Sequence, residues 1–493
     1  MVHNAVEIAI SMADIRAMLP ELFLLASAFV ILMADLYIPQ QQRSVTHWLS
    51  ISVLVVAGVL VWRSTGDDTL ARTAFNGMYV RDEVAALCKL FILGSTALAY
   101  VYARPHLKPR GMFQGEFYTL SLFAVIGMML LVSAGNMLSA YLGLEMLALC
   151  SYALVALNRD SPLSSEAAMK YFVLGVLASG LLLYGMSMVY GATGTLDLGS
   201  IRAVASSNVP RPELLVFGVV FLVIGIAFKF GAAPFHAWVP DVYQGSPTGV
   251  TLFVASAPKV AAFGLAYRLL DNGLGTSALW SNWSAMLSVL AVLSLVIGNI
   301  VAIAQTNLKR MLAYSTISHV GFLLLGIIGG GADGFGAALF YATTYSITAV
   351  AAFGLIVLLS RAGFEAEEIE DFRGLNQRNP FYAFLVLVVM ASFAGIPLFV
   401  GFLAKLQVLK AVIRADALWL AIVGALCAVI GAYYYLRVIK VMYFDAPASN
   451  APVIASADHS FRIVLSANVL ALMALGIFGG PLMTWCLSAV AAS

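Results

Sequence analysis

Apolar residues fall in long runs, each closed by a short polar or Gly/Pro-rich turn. Runs long enough to cross a bilayer lie at about 19–37, 48–62, 84–102, 117–133, 137–157, 167–190 and 214–235. They continue at about 248–270, 285–304, 311–328, 335–360, 381–409, 418–444 and 463–490. The pattern predicts an all-α polytopic membrane protein with about fourteen transmembrane helices. The longest connections are 63–82, 191–213 and 361–379. The last is strongly charged and is expected to form a solvated surface turn or an amphipathic stretch.

Two runs are interrupted. Phe228-Lys229-Phe230-Gly231-Ala232-Ala233-Pro234 breaks the seventh, and Ala394-Gly395-Ile396-Pro397 breaks the twelfth. Proline removes a backbone donor and clashes one turn back. Broken backbone at membrane depth is tolerated only against protein or a water-filled cavity. The breaks lie five helices apart, and an odd number of crossings reverses direction. Helices 4–8 and 9–13 therefore read as two inverted five-helix repeats. On this reading the single membrane domain 1–493 divides into 1–115 (helices 1–3), 116–271 (first repeat), 280–445 (second repeat) and 460–493 (helix 14).

Composition sharpens the class. Of 493 residues, 61% are hydrophobic and 11% charged, against about 25% charged in soluble domains. Almost no room remains for a soluble domain. A net charge of +2 with no dense basic patch excludes a nucleic-acid partner. Glu7, Asp14 and Arg16 precede the first run, so no cleavable signal peptide is expected. Cys88, Cys150, Cys427 and Cys486 are scattered within apolar segments and form no CxxC pair, which excludes iron–sulfur or structural zinc ligation. The six histidines show no metal spacing. Lys and Arg favour the connections 1–2, 3–4, 5–6, 7–8, 9–10, 11–12 and 13–14, which places that side in the cytoplasm and both termini outside.

Five ionisable residues sit inside apolar runs: Glu145, Lys229, Lys259, Lys405 and, less centrally, Lys89. A charge at mid-bilayer costs about 2.5–3.5 kcal/mol on insertion scales, so several in one chain point to use. Burial disfavours the charged form of a lysine, which suits a group that takes up and releases protons. Glu145 is the one ionisable residue of the fifth run, and Lys229 sits beside the break of the seventh. A glutamate and a lysine so placed either exchange charge during a proton cycle or lock two helices together. Lys259 follows Pro258 near the middle of the eighth run, too deep to reach an interface easily. Lys405 lies about two turns past the break of the twelfth; an exit-side proton site and a snorkelling lysine both fit. Lys89 fits snorkelling towards Asp82 or Glu83 as well as function. His319 fits a proton relay and equally a hydrogen-bonded packing histidine. The polar residues from Tyr341 to Thr348 either line water or bond back to their own helix. His236, Asp241 and Gln244 follow the seventh run in a stretch that either gates proton uptake or forms a rigid turn.

The stretch 228–251, the segment Ala257-Pro258-Lys259-Val260-Ala261-Ala262-Phe263 and the run 305–319, Gln-Thr-Asn-Leu-Lys-Arg-Met-Leu-Ala-Tyr-Ser-Thr-Ile-Ser-His, resemble the antiporter-like subunits of respiratory complex I, the bacterial NADH–quinone oxidoreductase. The resemblance covers nearly the whole chain. A lysine at 405 and the lack of a long lateral helix after it fit the N-subunit branch of that family. The resemblance implies fourteen helices, two inverted repeats and a central row of charges. Glu145 then corresponds to the helix-five glutamate and Lys229 to its lysine partner. Lys259 corresponds to the connecting lysine and Lys405 to the terminal one. Gly249 stands where the family often has a second proline. The implied activity is proton translocation in a non-redox subunit of NADH:quinone oxidoreductase, driven by quinone reduction elsewhere. No cofactor is implied in this chain. NADH, flavin, iron–sulfur clusters and quinone belong to partner subunits. The implied partners are neighbouring antiporter-like and small hydrophobic membrane-arm subunits and lipids, in a bacterial cytoplasmic (inner) membrane. A subunit of a multi-subunit cation/proton antiporter is the alternative, and a non-transporting scaffold a third reading.

Overall fold

A computed structural model of the chain describes residues 11–67, 69–207, 209–361, 363–447 and 458–493. The expected placement of the N-terminus, with Glu7, lies outside the described residues. All fourteen apolar runs are helical. Among the described residues, twelve helices are long and apolar enough to cross a membrane. The first run, Leu19–Asp35, and the twelfth, split into Pro380–Ala394 and Val400–Arg414, complete the set. The eighth, tenth and eleventh helices are almost wholly buried and form the centre. The second, sixth and fourteenth lie outside, with side chains such as Val55, Trp62, Phe172 and Leu177 exposed on their outer faces. In lipid such residues need no cover, because the solvent there is itself apolar.

The breaks are local consequences of sequence. The seventh helix, Pro212–Phe230, ends at Gly231 with φ +76°, a left-handed conformation glycine adopts without strain. The Ala232 N–H turns back to the Ala227 carbonyl at 2.8 Å. The first piece of the twelfth ends at Gly395 with φ +82°, and the Ile396 N–H turns back to the Ala391 carbonyl at 3.0 Å. Both are the same helix-ending motif.

A second pair of features matches between the halves. Asn136 caps the fifth helix (Met137–Val155) by accepting from the Leu138 N–H, and Asn307 caps the tenth (Leu308–Gly329) by accepting from the Arg310 N–H. Each asparagine lies in a short antiparallel ladder. In the first, Met137 donates to the Leu196 carbonyl and Leu198 to that of Gly135. In the second, Leu308 donates to the Glu367 carbonyl and Ile369 to that of Thr306. Five helices separate the two ladders, so they lie on opposite sides.

The structure corrects several expectations. The eighth run is interrupted too: Thr248–Val254 stops before Ser256, Ala257–Ala266 follows, and a π-turn, Tyr267–Gly273, ends it. The fourteenth is two helices, His459–Phe478 and Gly480–Ala491, parted at Gly479. The seventh stops five residues short of its apolar run, and a short helix, Trp238–Gly245, follows. The connection 361–379 is not simply solvated: Ala366, Ile369, Phe372 and Leu375 are buried, with short helices at Ile369–Phe372 and Leu375–Arg378. Lys89 does not snorkel to Asp82 or Glu83. It pairs with Glu21 of the first helix at 2.6 Å and donates to Tyr79 at 2.8 Å, all three buried. Asp82 is taken by Arg268, which grips both its oxygens at 2.6 and 2.8 Å. Arg268 and Lys309 are both buried too.

Candidate functional site

Each helix break leaves carbonyls free of helical partners, and a lysine fills the gap in both places. At the first, Lys259 donates to the Phe230 carbonyl at 2.7 Å. It comes from the eighth helix and is aimed there by the turn at Ser256-Ala257-Pro258. The Trp238 ring lies 5.4 Å from its ammonium, a cation–π contact worth about 2 kcal/mol when desolvated. Trp238 is fixed in turn by its indole N–H on the Phe228 carbonyl at 3.1 Å and by stacking on Tyr171. The Ala233 N–H is satisfied by Ser294 at 2.9 Å. The ammonium thus rests on a carbonyl dipole and an aromatic face, with no carboxylate among its described partners. Such a group can lose its proton without leaving an unpaired buried anion behind.

At the second break Lys405 donates to the Phe393 carbonyl at 2.8 Å and to that of Ala394 at 3.1 Å. The Phe322 ring lies 5.1 Å from its ammonium. Lys405 is 7% exposed and holds an inward position. The snorkelling alternative is therefore not what the structure adopts.

His319 lies beside this second site. One ring nitrogen meets the Tyr341 hydroxyl at 2.6 Å and the other the Tyr435 hydroxyl at 3.1 Å. Tyr435 also bonds Ser315. Phe393, whose carbonyl holds Lys405, packs 5.1 Å from the imidazole. A cavity of about 20 Å³, roughly one water in size, is lined by His319, Tyr341, Thr344, Tyr345, Ser392 and Phe393. The eleventh helix divides its polar residues: Thr343, Thr344 and Thr348 bond back to their own turns, while Tyr341 and Tyr345 reach His319 and Thr316.

Glu145 and Lys229 stand apart. Among the described residues no ion pair within 4.0 Å joins them. Glu145 Oε1 is buried without a hydrogen-bond partner in the described structure. Its residue lies on one stripe of the fifth helix with the exposed Leu138, Leu142 and Leu149. Lys229 opens on a small pocket with Tyr152, Ser179 and Phe228. Both residues are partly exposed as a whole, unlike Lys259 and Lys405.

Of the stretch after the first break, Asp241 is bound by Lys170 at 2.8 Å and Arg310 at 3.0 Å, and Arg310 also reaches Gln244 at 3.0 Å. The rigid-turn reading describes these contacts. His236 is half-buried with an unpartnered Nδ1. Sequence reasoning missed the roles of Lys309, His106, Glu365 and Glu367, which meet around the start of the eighth helix. The charged run at 365–371 was the visible signal.

The fold and the paired lysine sites define a multi-pass helical membrane protein with titratable groups sealed at broken helices. A family profile described as NADH:quinone oxidoreductase/Mrp antiporter, TM, matches residues 134–431. The chain is 56% identical over 480 residues to NADH-quinone oxidoreductase subunit N of Xanthomonas euvesicatoria pv. vesicatoria (strain 85-10), covering 97% of both chains. It is 51% identical over 484 residues to the protein of the same name in Thiobacillus denitrificans, covering 98% of this chain and 99% of that one. A chain of respiratory complex I from Thermus thermophilus superposes with TM-score 0.80 at 31% identity, over 94% of this chain and 98% of that one. A chain of the Mrp complex from Dietzia sp. DQ12-45-1b shares the fold, with TM-score 0.80 at 20% identity over 98% and 97%. The chain belongs to the NADH:quinone oxidoreductase/Mrp antiporter transmembrane family, in its NADH-quinone oxidoreductase subunit N branch.

Proposed function

We propose that this chain is a proton-translocating membrane-arm subunit of an NADH–quinone oxidoreductase in a bacterial inner membrane. Electron transfer then occurs in partner subunits that carry NADH, flavin, iron–sulfur clusters and quinone. The observation that carries the reading is the repeated device of a buried lysine on a carbonyl freed by a helix break, at Lys259 and again at Lys405. A static scaffold gains little from burying ammonium groups without carboxylates, since replacing such polar groups by apolar ones is commonly neutral or stabilising. In the proposed cycle Lys229, Lys259 and Lys405 hold protons in turn, and His319 with Tyr341 and Tyr435 links the centre to Lys405. Glu145, on the outward stripe, senses the neighbouring subunit.

The test is NADH-driven proton translocation in inverted membrane vesicles. Lys229→Ala and Lys259→Ala are expected to yield assembled complex with most translocation lost. Assembled complex with undiminished translocation overturns the proposal. The same vesicles distinguish a cation/proton antiporter, which exchanges Na⁺ for protons without NADH.

A further inference from the structure

The two asparagine ladders repeat in backbone and differ in chemistry. Aligned on Asn136 and Asn307, Leu138 matches Lys309, and aligned on Asp197 and Glu368, Leu196 matches Glu367 and Gly194 matches Glu365. The ladder between the fourth and seventh helices carries no ionisable group at these three positions. The one between the ninth and twelfth carries three. A fold that repeats while its charges do not has given one side a separate task.

The three side chains meet. Lys309, 1% exposed, lies 3.7 Å from Glu365 and 3.6 Å from Glu367, and donates to the Ser246 carbonyl at 3.0 Å. Glu365 accepts from Thr248 at 2.9 Å and meets His106 Nε2 at 2.7 Å, with Arg110 at 3.5 Å. The Gly249 N–H donates to His106 Nδ1 at 3.4 Å. That nitrogen is therefore the acceptor, and Nε2 carries the hydrogen given to Glu365. A proline at 249 could not make this bond. The charged and titratable groups facing the pair are Lys309 from the tenth helix, His106 and Arg110 from the third helix and its end, and Glu368, held by Asn307, from the same connection. Both glutamates keep about a quarter of their side chains exposed, while His106 and Lys309 beneath them are sealed.

We propose that Glu365 and Glu367, with Lys309 and His106 beneath them, form a proton-binding site that loads from the solvent on this side of the membrane. Burial raises both carboxyls, but the His106 hydrogen bond and the Lys309 charge hold Glu365 well below the usual carboxylate range. At Glu367 burial and the adjoining Glu365 outweigh Lys309 and the Asn307 amide, which donates at 3.2 Å, and its carboxyl is raised. A proton from water goes to Glu367, since Glu365 already accepts from His106 and Thr248 as a carboxylate, and Lys309 is left with a single counter-charge. Lys309 then holds the start of the eighth helix, through Ser246, less firmly to this connection. The Lys309 ammonium occupies the place between the carboxylates that a metal cation would need.

The proposal rests on the proton-translocation reading, so its test has a readout without turnover. Infrared difference spectra of the purified complex, taken on acidification, are expected to show a protonated carboxyl band that Glu367→Gln removes. Glu367→Asp should retain it. In proteoliposomes Glu367→Gln should flatten the part of the translocation pH profile that Glu367→Asp retains, because the amide cannot take up a proton. A wild-type complex with no titrating carboxyl band overturns the proposal, as does a band unchanged in Glu367→Gln. A variant that alters Na⁺ dependence in place of the pH profile also overturns it. Full translocation in Lys259→Ala would instead remove the functional reading and leave the infrared result standing.

Discussion

The two broken helices use one backbone solution and two different suppliers. At Gly231 and at Gly395 the chain turns left-handed, closes the helix end with a backward hydrogen bond and presents a carbonyl to a lysine. At the first break that lysine crosses from the eighth helix. At the second it comes from the continuation of the same helix, one piece folding onto the end of the other. The first contact therefore depends on how two helices sit against each other, and the second on a hinge within one. A shift of the seventh helix against the eighth would change Lys259 and leave Lys405 in place. The comparison teaches that equal local geometry supports unequal mechanical coupling.

The strongest way to break this comparison is to remove each lysine. Lys259→Ala and Lys405→Ala should each slow proton transfer on the order of a hundredfold, the usual scale for losing a proton-transfer group. Vesicle acidification driven by NADH measures it, and one variant retaining full rate would end the equivalence of the sites. The glycines should separate the breaks next. A Cβ at Gly231 meets Val239 at 2.5 Å, whereas one at Gly395 meets the flexible Lys405 stem at 3.0 Å. Gly231→Ala should cost about 1 kcal/mol for the left-handed turn and about 1–3 kcal/mol more for crowding, and Gly395→Ala only the first part. Thermal denaturation of the complex reads the difference, and equal losses would contradict the packing argument.

Tyr435→Phe removes a hydroxyl shared by His319 and Ser315 near the second break only. About 1 kcal/mol of stability should go with it. If His319 relays protons, translocation falls more than the stability loss explains, and restoring stability with lipid does not recover it. The smallest effect belongs to Asp241, which anchors the stretch after the first break. Burial raises its carboxyl, but Lys170 and Arg310 together hold it below the usual range. A depressed carboxyl contributes above its ordinary value of about 4 and loses that contribution as pH falls below it. Asp241→Asn should cost about 0.2–1 kcal/mol at neutral pH, as exposed ion pairs do. The gap in melting temperature from the unaltered protein should close in acid; a gap that widens would reverse the sign argued.

Much of this was legible because membrane helices announce themselves by length and apolarity. All fourteen runs, both glycine breaks and the inward position of Lys259 follow from residues read in order. The partners of the charges did not. Lys89 has Asp82 and Glu83 nearby in sequence but Glu21 nearby in space, because its long side chain reaches across to the start of the first helix. Glu145 and Lys229 were read as a charge pair, and their separation could not be read from the sequence. The cluster at Glu365 stayed hidden because its members come from four separate stretches, and a run of acids reads as solvated until a buried lysine is placed under it.

The acceptor that holds each lysine is a peptide carbonyl, and that has a consequence for heredity. A carboxylate partner can be lost by one nucleotide change, whereas every amino acid at position 230 or 393 supplies the same oxygen. Half of each site is thus shielded from point mutation, provided the glycine keeps the turn. Saturation mutagenesis would find the lysines and glycines and pass over the oxygen atoms. Only an ester replacing the amide, which weakens the carbonyl dipole, would register them.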